Sequence, residues 1–257
     1  MSIVAGLAKF SEHRYKLTVG KPNCIQLPDA EPIPILYEDR SVLAIDKPRG
    51  WMLVPFSWQK TTRNLQAAIT SSIAARDFWA RSRNLKFLRY VHRLDADTSG
   101  ILLLAKSQGA LDVYSALFES RRMEKTYLAV VYGRPKNREW VCRLKLAPDP
   151  RNIGRMKTNP HGKPAETLFR VLDSFEDTTL IEARPLTGRT HQIRVHLTES
   201  GFPIVGDDLY GLPSDRHPLG LRAVGLAYSD PFTRRRVQIR APQEEYCREY
   251  GFDKSEA

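Results

Sequence analysis

The middle of the chain constrains the fold most. Four β-like runs, around Thr126 to Tyr132, Trp140 to Leu146, Thr167 to Ser174 and Thr179 to Ala183, follow one another with only Pro, Gly, Asp and Asn clusters between them. Parallel strands need long crossover connections, usually helical, whereas antiparallel strands are joined by short turns. Strands that succeed one another without intervening helices therefore predict a mainly antiparallel sheet.

The flanking segments add a few helices. Val42 to Lys47 is a short apolar run stopped by Pro48, a strand followed by a loop. Between Thr62 and about Arg81, Leu65, Ala68, Ile69, Ile73 and Phe78 recur near helical spacing, with Thr62 as the expected N-cap. Gly100 to Ala105 reads as a strand, and Ser107 opens a helix carrying Leu111, Tyr114, Leu117 and Phe118 on one face. Thr190 to Ser200 reads as a helix closed by Gly201, and Ala223 to Tyr228 and Arg236 to Ile239 as the last strands. The expected class is α+β, a mixed, mainly antiparallel central sheet flanked by helices and loops. Residues 1–34, punctuated by Pro28, Pro32 and Pro34, read as an N-terminal extension or arm, and residues 35–253 as one domain.

Charge points to a partner. The 257 residues include 40 Lys and Arg against 29 Asp and Glu, a formal charge of +11. Such an excess attracts polyanions, of which nucleic acid is the most abundant in a cell. The basic residues also cluster, at Arg121 and Arg122, at Arg234 to Arg236, and at Arg151, Arg155, Lys157 and Lys163. Three widely spaced cysteines, Cys24, Cys142 and Cys247, offer neither a disulfide framework nor a zinc site. The short apolar start, Ile3 to Ala8, does not read as a signal peptide, and no run reaches membrane-spanning length, so the expected location is cytoplasmic.

Two clusters place charged residues within apolar surroundings. Val91 to Gly100 reads VHRLDADTSG, whose Asp, Thr, Ser and Gly are also ordinary turn residues. Leu186 to Leu197 reads LTGRTHQIRVHL, where Ile193 and Leu197 form an apolar stripe and Arg194 lies one turn inside the helix. His191 and His196 are about 140° apart around such a helix, unlike a zinc pair on one face. Partly buried histidines with hydrogen-bond partners are expected, and no metal.

These residues resemble the RluA family of RNA pseudouridine synthases. HRLD followed by TSG, then Glu124-Lys125-Thr126-Tyr127, GRTHQIRVHL and the Gly201 to Asp207 segment occur in the family's order and spacing, together with Asp46 to Gly50 and Lys163 to Thr167. The likeness spans roughly Ile35 to Pro242. It implies the pseudouridine synthase fold, a catalytic domain over 35–253, and isomerisation of a uridine in structured RNA, ribosomal or transfer, without a cofactor. It implies Asp95 as the catalytic carboxylate, Tyr127 as the ring stacking on the flipped uracil, and Arg194 as the basic partner of Asp95. Arg93 resembles the arginine that fills the space left by the extruded nucleotide. His92, Arg189, His191 and Gln192, in the same two motifs, are expected to contact RNA. Monomer is the default state. Arg222, Asp230 and Phe202 stand where histidines are frequent among relatives, at positions that read as structural or substrate-shaping. The small N-terminal RNA-binding module of many relatives is not recognisable in residues 1–34.

The chemistry suits one carboxylate. Breaking the bond between ribose and uracil passes through an oxocarbenium-like state, as in retaining glycosidases. Asp95 serves either by attacking the anomeric carbon or by taking the neighbouring 2′ proton, and both routes stand at this point. A guanidinium beside it fixes its orientation in a planar, two-pronged way that lysine does not reproduce. Two other functions compete. A non-catalytic RNA-binding or ribosome-assembly factor has no need of a lone carboxylate facing a polyanion. A glycosylase that releases the base needs a second acid, and its sole close candidate, Asp97, is explained more simply as a turn residue.

Overall fold

The computed structural model describes residues 20–28, 30–53, 63–212 and 215–252. In chain order they form β1 (Cys24–Ile25), β2 (Ile33–Glu38), β3 (Val42–Lys47), α1 (Leu65–Ala74), α2 (Phe78–Arg81), β4 (Arg89–Tyr90), β5 (Ser99–Ala105), α3 (Gln108–Glu119) and β6 (Glu124–Tyr132). There follow β7 (Glu139–Cys142), β8 (Leu146–Pro148), β9 (Met156–Thr158), β10 (Thr167–Phe175), β11 (Thr178–Pro185), α4 (Gln192–Glu199), β12 (Leu221–Ser229), β13 (Arg236–Arg240) and α5 (Glu244–Glu249).

The main sheet runs β1-β2-β3-β5-β12-β6-β11-β10-β7, with β13 added to β12 and β4 to β5, and β8 and β9 form a separate hairpin. Among the described strands, every pairing is antiparallel except β5 with β12. The α+β class and the mainly antiparallel sheet thus hold. The parallel join is made where Arg222 and Ala223 pair with Ser99 and Gly100. Gly100 has φ +106°, and a Cβ there would collide with the Ala223 backbone. Only glycine lets these strands meet, just after the HRLD loop.

Burial on both faces explains the long apolar strands. Leu43, Ile45, Leu102 and Leu104 pack with Leu65, Ile69 and Trp79 of α1 and α2. The alternate residues Val42, Ala44, Ile101 and Leu103 pack against Tyr114 and Leu117 of α3. Such period-two alternation into two cores leaves every residue of β5 buried. Farther along, Ile193 and Leu197 of α4 cover one face of β6 and β11, and Tyr246 of α5 covers the other.

The expected boundaries shift in places. Thr62 lies outside the described residues, and the side chain of Asn64 caps α1 by accepting from the Ala67 N–H at 3.0 Å. The single expected helix ends at Ala74, and Arg76 takes φ +59° before α2 begins. The Trp140 to Leu146 run splits into β7 and β8, which belong to different sheets. The Pro-rich segment enters the main sheet ahead of Ile35, because Cys24 and Ile25 pair with Pro34 and Ile33. Proline lacks an N–H but still fits an edge pairing. Arg222, Asp230 and Phe202 are all engaged within the protein: Arg222 pairs with Asp46 at 2.6 Å, Asp230 accepts from the Tyr114 hydroxyl, and Phe202 packs on Trp140. No helix among the described residues is long and apolar enough to cross a membrane.

Candidate active site

Asp95 sits on the loop between β4 and β5, and the clamp on this loop is a lysine. Lys47, the last residue of β3, is fully buried. Its ammonium donates to the carbonyls of Pro48, Ala96 and Thr98 at 2.9, 2.7 and 2.9 Å. Burial lowers its pKa to about 8, although the charges of Asp97 and Asp95 act in the opposite direction. One cation with three carbonyl acceptors fixes the backbone between Asp95 and Asp97 and just after Asp97.

Arg194 reaches Asp95 from α4. That helix starts at Gln192, after His191 takes the left-handed conformation at φ +53°. The Gln192 side chain, 4% exposed, is saturated within the protein. Its oxygen accepts from the Thr187 hydroxyl and the Arg189 N–H, while its nitrogen donates to the Glu166 carbonyl and the Thr167 hydroxyl. The turn carrying Arg189 and His191 is thereby tied to β10.

The guanidinium of Arg194 is anchored mainly on Asp207, donating through Nε and Nη2 at 2.8 and 2.6 Å. Nη2 also donates to Asp208 at 3.1 Å, and Nη1 to Asp95 Oδ2 at 3.4 Å. The expected pairing with Asp95 is present but longer than the bonds to Asp207. Burial opposes the charge on Arg194, and the hydrogen bonds and charge of Asp207 overcome it, raising its pKa. Burial likewise opposes ionisation of Asp207, yet Arg194 and the N–H groups of Tyr210 and Leu209 hold its carboxyl below the usual range.

Asp95, Arg194, Tyr127, His191 and Arg93 line one cavity of about 850 Å³, within the size range of ligand pockets. Tyr127 comes from β6, between Ala183 of β11 and Ala223 of β12. Burial, and then the charge of Asp95, push its phenol pKa up, so it stays a neutral ring. His191 Nε2 lies 3.8 Å from Asp95 Oδ1, and its Nδ1 is 2.8 Å from the Tyr210 hydroxyl. Burial lowers the His191 pKa, though Asp95 resists this. His196 turns away, bonded to Thr167 and to the Leu144 carbonyl. The two histidines diverge, as their spacing implies.

Expected RNA contacts divide into two kinds. Arg93 is exposed at the cavity, and Arg189 lines it while donating to the Pro164 carbonyl at 3.0 Å. His92 and Gln192 border the cavity with polar side-chain atoms bonded inward to the fold. The ring of His92 stacks on Phe118 with centroids 4.4 Å apart, and its Nε2 accepts from the Leu103 N–H at 3.1 Å. Burial, followed by nearby Lys125, holds His92 neutral with a pKa of about 3.

Four contributors carry no role in the sequence reading. Lys47, Lys125 and Asp207 stand inside quoted motifs, which was their available signal, while Tyr210 has none. Lys125 donates to the Thr187 carbonyl at 2.9 Å, joining β6 to the Arg189 turn, and burial with Arg121 nearby lowers its pKa to about 8.

Comparison with known proteins decides the family. The RNA pseudouridylate synthase family matches residues 41–199, more than half of the chain. The chain belongs to this family. Among curated members, it is 39% identical over 221 residues to ribosomal large subunit pseudouridine synthase C of Vibrio vulnificus (strain CMCP6), covering 82% of this chain and 66% of that protein. It is 35% identical over 264 residues to the Vibrio cholerae protein of the same name, covering 90% and 78%. The chain thus spans about two thirds of the length of the first of these relatives. Human RNA Pseudouridylate Synthase Domain Containing 1 superposes with a TM-score of 0.66 at 25% identity, over 82% of this chain and 83% of that one. Human RNA Pseudouridylate Synthase Domain Containing 4, at 23% identity and TM-score 0.65 over 81% and 87%, shares the fold.

Proposed function

We propose that this chain converts a uridine of structured RNA into pseudouridine, with Asp95 acting on the ribose. The observation that carries the reading is the carboxylate of Asp95. It is 29% exposed within a cavity, with Arg194 and His191 beside it and Tyr127 on the same wall. A cleft that served only to hold a polyanion would be weakened by such a group.

The target nucleotide must leave its stack, at a cost of a few kcal/mol. Tyr127 offsets roughly 1–3 kcal/mol by stacking on the uracil, and Arg93, at the exposed rim, occupies the gap left in the RNA. Asp95, oriented by Arg194, attacks the anomeric carbon or removes the 2′ proton, and the C1′–N1 bond breaks. The uracil turns within the cavity, C5 bonds to C1′ as the Asp95–C1′ bond breaks or, on the other route, as the 2′ proton returns from Asp95, and the proton on C5 is replaced by one on N1. Atoms balance without a second reactant. Arg189 and His191 meet the RNA around this centre, while His92 and Gln192 shape the loops from within.

The curated relatives are named for the large ribosomal subunit, and ribosomal RNA in the cytoplasm is accordingly the proposed target, acted on by a monomer whose catalytic domain joins β1 and the start of β2 to residues 35–253. Carbodiimide mapping of pseudouridine in total RNA, from cells with and without the gene, tests this. One or more ribosomal sites are expected to vanish on deletion, to return with the wild-type gene and to stay absent with Asp95→Asn. Rescue by that variant would overturn the mechanism.

A further inference from the structure

A second cleft of about 920 Å³ lies away from the proposed catalytic centre. Lys106, on its wall, follows the last residue of β5, whereas the Asp95 loop precedes the first. Seven strand residues at about 3.3 Å each separate the two ends by roughly 20 Å. Cations reach this cleft from four segments distant in sequence: Lys21, Arg40, Arg83 with Lys86, and Lys106. None belongs to the basic clusters visible in the sequence.

The two carboxylates of the cleft are already engaged. Glu38 pairs with Arg83 at 2.8 Å and with Lys106 at 2.6 Å. Asp39 accepts from the N–H groups of Ser41 and Val42 and from the Tyr37 hydroxyl. Arg83 also donates to the Pro22 carbonyl at 2.7 Å, which ties down the segment bearing Lys21. The acids and the inner cations therefore build the cleft, and Lys21, Arg40 and Lys86 remain exposed on it. Phe87 lines the same wall, half-buried, with the Arg89 guanidinium 5.6 Å from its ring centre. Cations beside an accessible aromatic ring suit a nucleic-acid strand with unpaired bases: the charges follow the phosphates and the ring accepts a base.

We propose that this cleft is a second RNA-binding site, holding a single-stranded part of the substrate RNA about 20 Å from the nucleotide being modified. It extends the RNA reading of the proposed function, and its test uses a probe without uridine, so that the outcome is independent of catalysis. Binding of a fluorescent 30-nucleotide oligoadenylate is measured across a salt series for the wild type and for the triple variant Lys21→Gln, Arg40→Gln, Lys86→Gln. All three residues are exposed, and thermal melting verifies that the variant folds. The variant is expected to bind more weakly and to flatten the plot of log affinity against log salt by about 2, since each lost phosphate contact on a single strand contributes about 0.7. Photocrosslinking of the same oligonucleotide is expected to label the peptide containing Phe87. Its kcat on a short uridine-bearing stem–loop is expected to stay at the wild-type value. Unchanged affinity and salt slope, with crosslinks confined to peptides of the Asp95 cavity, would overturn the site. Loss of uridine conversion by the wild type would bear on the catalytic reading alone.

Discussion

Asp95 and Asp207 share one arginine and are treated in opposite ways. Asp207 is 2% exposed and accepts four hydrogen bonds, two from Arg194 and two from the Leu209 and Tyr210 N–H groups. Asp95 is partly open to the cavity and meets Arg194 at 3.4 Å and His191 at 3.8 Å. A carboxylate saturated by short bonds is fixed and inert, whereas one held by a longer contact keeps lone pairs for a substrate. The difference teaches how the site divides its work: Asp207 secures the guanidinium, and the guanidinium aims Asp95.

Breaking the fixed half has the largest expected effect on stability. Asp207→Ala leaves Arg194 buried without its main partner, and loss of about 3–5 kcal/mol is expected by urea unfolding. Arg194→Lys keeps the charge but loses the two-pronged geometry. Unfolding free energy is expected to fall by roughly 1.5–3 kcal/mol, with turnover reduced more than RNA affinity in single-turnover and binding assays. Tyr127→Leu removes the ring proposed to stack on the uracil, and kcat/KM is expected to drop by the equivalent of about 1–3 kcal/mol, whereas Tyr127→Phe retains most of it.

The smallest effect is a pH dependence that sharpens the comparison. The Asp207 pKa is lower in the folded state than the unfolded value of about 3.9. Its stabilisation is therefore complete above that unfolded value and is lost as pH falls through the folded one. Urea midpoints between pH 2 and 7 are expected to give a steep acid limb in the wild type and a shallower one in Asp207→Asn.

Much of this was legible in the sequence, for identifiable reasons. The four central β-runs reveal an antiparallel sheet because short turns leave no other connection. Ser107 is readable as the opening of a helix, and its hydroxyl does what the residue type implies, accepting from the Ala110 N–H. The Asp95 loop and the Arg194 helix stand out through motif likeness rather than periodicity. Less visible were groups whose role depends on distant chain segments. Lys47 ends an apolar strand and looks like a surface stop, yet its partners Ala96 and Thr98 lie some fifty residues away. Gln192 and His92 stand within motifs that meet RNA by resemblance, but their hydrogen bonds run inward. The break between α1 and α2 was hidden because the apolar spacing continues across it, while Asp77 turns back to accept from the Ser72 hydroxyl, whose oxygen accepts from the Trp79 indole at 2.8 Å.

The most direct test sets the free carboxylate against the fixed one. Tritium release from RNA labelled at C5 of uridine, measured for Asp95→Asn beside the wild type and matched by thermal melting, reads the replacement of the C5 proton itself. A folded Asp95→Asn protein with a melting temperature close to wild type and no release above background is the expected result. Release at a rate near wild type would contradict the assignment of Asp95 as the group that opens the glycosidic bond.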